Sequence, residues 1–316
     1  MKDQQHVANV GKFEVPELTA DGQERAYVAL TNPQTLWFNT GTLCNITCAN
    51  CYIDSSPTND ALVYLTLAEV EDFLGQLKTR NWPATEIGFT GGEPFMNPDM
   101  IAMAEAALTQ GYRVLILTNA MRPMMRKSVK AGLIALQQRF GEALTLRVSL
   151  DHWNCALHDA ERGEGSFDIT LSGMRWLRDQ GITMDVAGRI AWHEDEASAR
   201  AGYAKLFRNE GFDIPADNPA RTVLFPEMDV SVEVPEITTA CWGILNKSPN
   251  DVMCASSRMV VRHKGSDAPS VIACTLLPYE PEFDLGPDLA SAERPVHLNH
   301  PHCAKFCVLG GASCSA

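Results

Sequence analysis

Short apolar segments alternate with amphipathic segments along the first two thirds of the chain. The apolar segments have the length of buried strands, and in the amphipathic segments apolar residues recur at helical spacing. Thr66 and Glu69 have the pattern of a capping box, which starts a helix. The other predicted helices cover residues 98–110, 124–139, 166–180 and 196–210, and the predicted strands cover residues 35–39, 86–90, 113–117, 144–150 and 183–187.

This alternation of strands and helices predicts an α/β fold. Strands joined by helices lie parallel, and right-handed crossovers curl such a sheet into a full or partial barrel. Five or six units are fewer than a closed barrel requires. We therefore expect a partial, TIM-like (β/α)6 barrel over residues 35–236, preceded by a polar lead-in at residues 1–34.

Polar and small residues follow the carboxyl ends of the predicted strands. These ends share one rim of a parallel barrel, where barrel chemistry collects, so we expect the residues to lie together. They are Cys44, Cys48 and Cys51 after the first strand, Gly91, Gly92, Glu93 and Pro94 after the second, Thr118 and Asn119 after the third, and Ser149 and Asp151 at the fourth.

Cys44, Cys48 and Cys51 constrain the chemistry most tightly. Cysteine thiolates are the protein ligands of iron–sulfur clusters. Three of them can bind three irons of a [4Fe–4S] cluster and leave the fourth iron open to another molecule. A zinc loop is the alternative, but a structural zinc ion takes a fourth protein ligand.

The last quarter of the chain, residues 237–316, has a different character. The strand–helix alternation stops, and residues 258–263 and 270–274 alternate like the two strands of a hairpin. We expect a second small domain that is too poor in apolar helices for a large core, so metal would supply stability. Six of the ten cysteines lie here: Cys241, Cys254, Cys274, Cys303, Cys307 and Cys314.

Composition argues against several function classes. A net charge of −13 disfavours a nucleic-acid surface, which needs clustered Lys and Arg. No apolar run approaches the roughly 20 residues that span a bilayer, and the polar N-terminus lacks a signal sequence. We therefore expect a cytoplasmic protein without nucleic-acid or membrane partners, whose cysteines bind metal rather than form disulfides.

The C-x3-C-x2-C loop of residues 44–51, followed by Gly-Gly-Glu-Pro at residues 91–94, resembles the radical S-adenosylmethionine (radical SAM) enzymes over roughly residues 36–235. The resemblance implies that the three cysteines bind a [4Fe–4S] cluster whose open iron takes the amino and carboxylate groups of S-adenosylmethionine. An electron from the cluster cleaves the sulfonium to methionine and a 5′-deoxyadenosyl radical, which abstracts a substrate hydrogen atom.

The same resemblance implies roles for other rim residues. The Gly-Gly-Glu-Pro strand end hydrogen-bonds the ammonium of the methionine moiety, and Asn119 and Ser149 contact the cofactor. Arg189 is placed to meet the cofactor carboxylate. Relatives often carry an aromatic residue directly before the third cysteine, where it touches the adenine. Here that position is Asn50, and Tyr52 follows the cysteine instead.

The late cysteines resemble those of auxiliary-cluster domains in one branch of the family. Their number and spacing fit the shorter version of that domain, which holds one extra [4Fe–4S] cluster. The implied ligands are Cys254 and Cys274, which flank the hairpin, with Cys303 and Cys307 near the end. Cys241 and Cys314 are alternatives for one or two of them, and zinc is the competing metal.

We therefore expect an enzyme that oxidises or crosslinks a small molecule or a peptide, served by an electron donor such as flavodoxin or ferredoxin. Cys155 and Asp151, near the end of the fourth strand, are the candidate catalytic residues, as a thiol donor or covalent anchor and as a base. The alternatives are a radical SAM methyl or group transferase and, from a different class, a non-catalytic zinc-binding interaction module.

Overall fold

The computed structural model describes residues 11–190, 194–226 and 232–310. The candidate ligand Cys314 lies outside these ranges. Within them, no helix combines the length and the apolar character needed to cross a bilayer.

The helices and strands follow the predicted alternation. The strands are β1 (Tyr27–Val28), β2 (Thr35–Asn39), β3 (Glu86–Thr90), β4 (Arg113–Thr118), β5 (Leu144–Ser149), β6 (Thr183–Ile190), β7 (Thr222–Pro226), β8 (Ser257–Val261), β9 (Ser270–Ile272), β10 (Asp284–Gly286) and β11 (Val296–His297). The helices are α1 (Leu67–Thr79), α2 (Met100–Thr109), α3 (Lys127–Phe140), α4 (Cys155–Arg162), α5 (Ser166–Asp179), α6 (Glu196–Glu210) and α7 (Cys241–Ile244), with a π-helix over Cys303–Leu309. Single 3-10 turns lie at Pro94–Met96, Gly141–Ala143, Pro249–Asp251, Met253–Ala255, Pro281–Phe283 and Ser291–Glu293.

Nine strands of the described chain form one sheet in the order β10-β9-β8-β2-β3-β4-β5-β6-β7. From β8 through β2 to β7 every neighbouring pair is parallel. Strands β9 and β10 continue the sheet with antiparallel pairs. Helices join the strands from β2 to β7, and the strand order never reverses. The predicted α/β fold with a mostly parallel, barrel-type sheet is therefore confirmed.

The C-terminal hairpin belongs to the same sheet. Strands β8 and β9 pair antiparallel as predicted, and β8 also runs parallel to β2, with Thr35 opposite Ser257 and Phe38 opposite Val260. Residues of both segments contribute to one buried hydrophobic core. The late cysteines are thus anchored to the barrel edge, and the boundary after residue 236 stays a prediction.

The core of the barrel is built around β2, which is buried along its whole length. The Phe38 ring stacks on the ring of Phe89 from β3, with centroids 5.6 Å apart. A Cβ atom on Gly88 would lie 2.3 Å from the ring of Trp37, so glycine in β3 leaves the room that this indole needs. Close packing here holds β2 and β3 together, and both strands end at the rim that carries the candidate site.

We expect Gly173→Ala to destabilise the fold by about 1–3 kcal/mol, because the new methyl group would overpack a close contact. Gly173 lies on the buried face of α5, where a Cβ atom would come 1.9 Å from the carbonyl oxygen of Ala120. Gly75 in α1 is the matched control, since a Cβ atom there would meet nothing within 4 Å. Gly75→Ala should stabilise by about 0.5–1 kcal/mol in chemical unfolding, and equal stability of the two variants would contradict the expectation.

Candidate functional site

The three cysteines line a cavity of about 610 Å³ at the carboxyl ends of the strands. Cys44 is buried, and Cys48 and Cys51 are half-buried. Most of the predicted rim residues share the lining of this cavity. These are Tyr52, Gly91, Gly92, Asn119, Ser149 and Arg189.

The cysteine loop, residues 40–56, is folded back on itself by backbone hydrogen bonds. The N–H of Cys44 donates to the carbonyl of Ser56 at 3.0 Å, so the start and the end of the loop are joined. Burial raises the pKa of the Cys44 thiol to about 12 and also raises that of Cys48. Soft iron bound as a cluster would hold these sulfurs as thiolates instead, and the donor set fits such a group.

The two glycines after β3 permit a close backbone crossing. Gly91 has a φ of 136°, and a Cβ atom on it would lie 2.5 Å from the carbonyl of Gly41. A Cβ atom on Gly92 would lie 2.4 Å from the carbonyl of Leu43. The N–H of Gly92 donates to Gly41 at 2.9 Å. These glycines therefore let the end of β3 pack closely against the cysteine loop. From the sequence, they were expected to contact the cofactor.

Glu93 ties the β3 end to the β4 end. It is 1% exposed, and its carboxylate accepts hydrogen bonds from the Thr118 hydroxyl at 2.9 Å and from the Asn119 N–H at 2.8 Å. Burial raises the pKa of Glu93 to about 7. The Asn119 side chain in turn donates to the Asn45 Oδ1 at 2.9 Å, inside the cysteine loop. Glu93 and Pro94 therefore lie behind the residues that line the cavity. Asn119, which does line it, links Glu93 to the cysteine loop through hydrogen bonds.

A group of buried charges lies at the ends of β5 and β6. The Asp151 carboxylate is 2.5 Å from Arg162 Nε and 3.4 Å from Arg189 Nε. Against the desolvation that burial imposes, these two guanidinium groups hold the pKa of Asp151 below its usual value. An ionised carboxylate committed to two arginines is poorly placed to take a proton. The contacts favour a positioning role for Asp151, which orients both arginines at the cavity.

Glu161 of α4 holds Asn50, the residue before Cys51, by hydrogen bonds. Its side-chain oxygens accept from the Asn50 N–H at 2.9 Å and from the Asn50 side-chain amide at 2.7 Å. Arg189 donates to the Asn50 carbonyl at 2.9 Å. Asn50, at the position where an aromatic residue was expected, therefore fastens the loop to α4 and β6. Tyr52, the residue after Cys51, lines the cavity.

We expect Glu161→Gln to lower stability by about 1.5–3 kcal/mol, the range for a hydrogen bond to a charged group. The amide of glutamine would face the Asn50 amide with a donor where the carboxylate presents an acceptor. Chemical unfolding measures the loss. Glu164→Gln, an exposed position two residues beyond α4, is the control and should change stability by less than about 0.5 kcal/mol. Equal effects at the two positions would show that the Glu161–Asn50 hydrogen bonds do not stabilise the fold.

Cys155 lies apart from these groups. It is exposed at the start of α4, and its thiol contacts the Asp159 carboxylate at 3.8 Å. Cys155 is not among the described residues that line the cysteine cavity or the second cavity beside it, which is described next. This position does not favour the thiol-donor or anchor role, which stays a prediction.

A second cavity of about 760 Å³ adjoins the first. The two share Tyr52, Leu117, Ser149, Arg162 and Arg189. Arg147 and Asp151 also line the second cavity, and the rest of its wall is mainly apolar. The apolar side chains are Leu117, Ala187, Phe225, Pro226, Leu276 and Phe306.

Four of the late cysteines converge, as the sequence predicted for an auxiliary centre. Cys254, Cys274, Cys303 and Cys307 are all buried and line one small cavity of about 300 Å³ together with His302. Cys254 precedes β8, Cys274 follows β9, and the other two lie on the π-helix. Cys241 is elsewhere, and its sulfur accepts from the Thr238 N–H at 3.4 Å.

Arg258 indicates what kind of group the cavity of the four late cysteines would bind. The residue is 1% exposed, and burial lowers the pKa of its guanidinium group to about 10. Its hydrogen bonds go to carbonyl oxygens, including that of Cys254 at 2.6 Å, and in the described residues it has no carboxylate partner. A buried cation needs a nearby anion. Thiolates of a cluster bound by Cys254 and Cys274 would supply that charge.

No site role was predicted from the sequence for Arg162 and Glu161. Both lie on α4, a helix that was not predicted either. The local signals are Asn154, whose side chain caps the helix by accepting hydrogen bonds from the N–H groups of Ala156 and Leu157, and Gly163, at which the helix ends.

In the described residues no three His, Cys, Asp or Glu side chains are close enough to hold a single metal ion.

Comparison with known proteins bears on this site. The model of the radical SAM superfamily matches residues 38–191. The chain is 32% identical over 145 residues to the antilisterial bacteriocin subtilosin biosynthesis protein AlbA of Bacillus subtilis, a match that covers 46% of this chain and 30% of AlbA. It is 30% identical over 155 residues to the AdoMet-dependent heme synthase of Methanosarcina barkeri, covering 48% and 41% of the two chains.

A third curated relative is mycofactocin maturase MftC of Mycolicibacterium smegmatis, 29% identical over 140 residues, which are 44% of this chain and 33% of MftC. The matches thus span between 30% and 41% of the length of these three relatives. In each case the aligned part of this chain is less than half of it.

Solved structures share the fold. Streptococcus suis SuiB bound to S-adenosylmethionine superposes with a TM-score of 0.58 at 13% identity, over 81% of this chain and 63% of SuiB. Native anSMEcpe with bound AdoMet also gives 0.58 at 13% identity, over 86% and 83%. The cysteine loop and the Gly-Gly-Glu-Pro strand end lie at one rim of such a barrel, within the matched residues 38–191. The chain therefore carries a radical SAM domain, the domain that works with a [4Fe–4S] cluster and S-adenosylmethionine.

Proposed function

We propose that this chain is a radical SAM enzyme that abstracts a hydrogen atom from a peptide. The observation that carries the proposal is the continuity of the two cavities, which share Tyr52, Ser149, Arg162 and Arg189 in their walls. One cavity holds the cysteine triad, and the other offers an apolar surface of the kind that substrates occupy. A radical formed at the first would therefore meet a substrate in the second.

The chain's own residues would hold and orient the cofactors. Cys44, Cys48 and Cys51 would each bind one iron, and Asn119, Ser149, Tyr52 and the backbone around Gly91 and Gly92 would contact S-adenosylmethionine. Arg189 and Arg162, fixed by Asp151, would meet its carboxylate. When bound, this pair of cofactors supplies one-electron cleavage of the sulfonium C–S bond, which gives methionine and a 5′-deoxyadenosyl radical that takes hydrogen from the substrate.

Peptides are favoured as substrates by the names of the relatives. AlbA is a bacteriocin biosynthesis protein, MftC is a maturase, and SuiB has been solved with the precursor peptide SuiA. The heme synthase relative keeps a small molecule as the second candidate. The chain spans only part of these proteins, so the substrate assignment is a proposal for this chain.

We also propose that residues 237–316 carry one auxiliary [4Fe–4S] cluster bound by Cys254, Cys274, Cys303 and Cys307. Its cavity and the substrate cavity share Leu276, and Phe306 lies between two of the ligands on the π-helix. This adjacency supports a cluster that takes an electron from the substrate radical and so completes a net oxidation or crosslink. A flavodoxin or ferredoxin would supply the electron for the first cluster.

The test is anaerobic reconstitution followed by assays of iron, sulfide and S-adenosylmethionine cleavage. We expect about eight irons per chain, for two clusters, and reduction-dependent formation of methionine and 5′-deoxyadenosine. With a candidate peptide deuterated at the reacting carbon, deuterium should appear in 5′-deoxyadenosine. Label transferred from the cofactor methyl group to the product would instead indicate a group transferase. Bound zinc without sulfide would indicate the non-catalytic module and contradict the proposal.

A further inference from the structure

Ser55 has a buried hydroxyl group that takes no part in the hydrogen bonds of the cysteine loop. The residue is 4% exposed and lines the cavity of the three cysteines. Within the described chain, its Oγ atom has no hydrogen-bond partner and is closed off from solvent. A buried hydroxyl without a partner is costly. Its natural partner is therefore a group that the polypeptide itself does not supply.

The backbone holds Ser55 beside the cysteine sulfurs. A turn is closed by a 3.0 Å hydrogen bond from the Asp54 N–H to the Cys51 carbonyl, with Asp54 at a left-handed φ of 51°. This turn brings the Ser55 N–H to 3.3 Å from the Cys51 sulfur. The next residue, Ser56, accepts from the Cys44 N–H at 3.0 Å. Ser55 is thus fixed between the first and the third cysteine of the triad.

We propose that the Ser55 hydroxyl donates a hydrogen bond to a sulfur of the cluster that the triad binds. The inference rests on the proposed function, which places a [4Fe–4S] cluster in this cavity. A hydroxyl has one hydrogen to donate, and cluster sulfurs are acceptors. The Ser55 N–H already points at Cys51, so backbone and side chain of one residue would serve neighbouring sulfurs. Asn119, whose amide lies 3.9 Å from the Cys44 sulfur, is a second donor beside the triad.

The hydrogen bond has a consequence for electron uptake. One-electron reduction of the cluster from the 2+ to the 1+ state adds negative charge, which is shared by the sulfurs. A donor to those sulfurs stabilises the reduced state more than the oxidised state and raises the reduction potential. Ser55 is therefore a positioning and tuning residue that sets how readily the cluster accepts the electron used for cleavage.

The test is a redox titration of the reconstituted full chain, followed by electron paramagnetic resonance, for the parent and for Ser55→Ala. The signal of the triad cluster is the one that is missing from a variant with Cys44, Cys48 and Cys51 all changed to alanine. We expect reduction of this cluster to become about tenfold less favourable in Ser55→Ala, which is about 59 mV for a one-electron couple. Ser55→Thr keeps the hydroxyl and should stay near the parent, whereas Ser55→Val should behave like Ser55→Ala.

Several results would overturn the inference. One is an unchanged potential in Ser55→Ala at full iron content, and another is an equal shift in the threonine and valine variants. If Ser55→Ala fails to keep the cluster, retention by threonine and loss by valine would still assign the effect to the hydroxyl, and loss by both would assign it to loop packing. The proposed function fails separately, if the parent itself takes up no iron and cleaves no S-adenosylmethionine.

Discussion

Replacing Cys44, Cys48 and Cys51 together with alanine is expected to abolish cleavage of S-adenosylmethionine while about four irons per chain remain bound. The three sulfurs share one cavity, and in the described chain no other cysteine lines it. Without them no soft anionic ligand remains there for iron. The four buried cysteines of the C-terminal segment lie in a separate cavity and should keep their own cluster. Iron and sulfide content, with 5′-deoxyadenosine measured by chromatography, checks both halves of the result.

Cys155→Ala is the matched control for this variant. Cys155 is exposed and lies outside the described lining of both the cysteine-lined cavity and the second cavity, so its loss should leave iron content and cleavage at the parent level. Cleavage that persists in the triple variant would show that the triad does not hold the catalytic cluster. Loss of all iron from it would show that the late cysteines do not bind a cluster by themselves.

The barrel strands were predictable because each is a short apolar run bounded by polar residues. Strands β2 and β3 begin and end where the sequence predicts them, at Thr35–Asn39 and Glu86–Thr90. The start of α1 was also predictable, since the capping box of Thr66 and Glu69 is a local signal that needs no tertiary contact. Because parallel strands end at a common rim, correct strands also placed the motifs together.

The missed elements lack a clear apolar pattern along the chain. Helix α4 has only eight residues and buries His158 and Glu161 rather than an apolar stripe, so no apolar pattern marks it in the sequence. Strand β7 ends in Pro226 and lies at the sheet edge, where proline is tolerated but weakens a strand prediction. In both cases tertiary contacts, which a pattern along the chain does not contain, stabilise the element.

The positions of the candidate ligands were predictable from the sequence, and those of the charged groups were less so. The convergence of Cys254, Cys274, Cys303 and Cys307 agrees with the set favoured from the hairpin resemblance, while Cys241 belongs to another element. The arrangement of Asp151 with its arginines depends on contacts between residues from 11 to 38 positions apart. Spacing along the sequence predicts no such geometry, which is why Asp151 was assigned a proton-transfer role that its ion pairs disfavour.

Changing Cys303 and Cys307 together to alanine is expected to remove about four irons and to destabilise the chain by about 3–5 kcal/mol, the cost of breaking a buried ion pair. Both residues are buried with Cys254 and Cys274, and Arg258 lies fully buried beside Cys254 and Cys274 without a carboxylate partner in the described residues. Losing the cluster would leave this cation uncompensated. Iron content and chemical unfolding of the reconstituted chain measure the two effects, and Cys241→Ala, outside the cavity, should show neither.

The role of Arg258 can be separated from simple loss of packing by a double-mutant cycle. In the reconstituted parent, Arg258→Met should destabilise the fold and weaken retention of the auxiliary cluster, because it removes the cation that faces the thiolates. In the Cys303→Ala, Cys307→Ala background the same change should raise stability, because it removes a buried charge that no longer has a counterion. A change of the same sign in both backgrounds would mean that Arg258 serves only through its carbonyl contacts. Opposite signs would tie the buried guanidinium to an anionic cluster and so distinguish that cluster from neutral buried thiols.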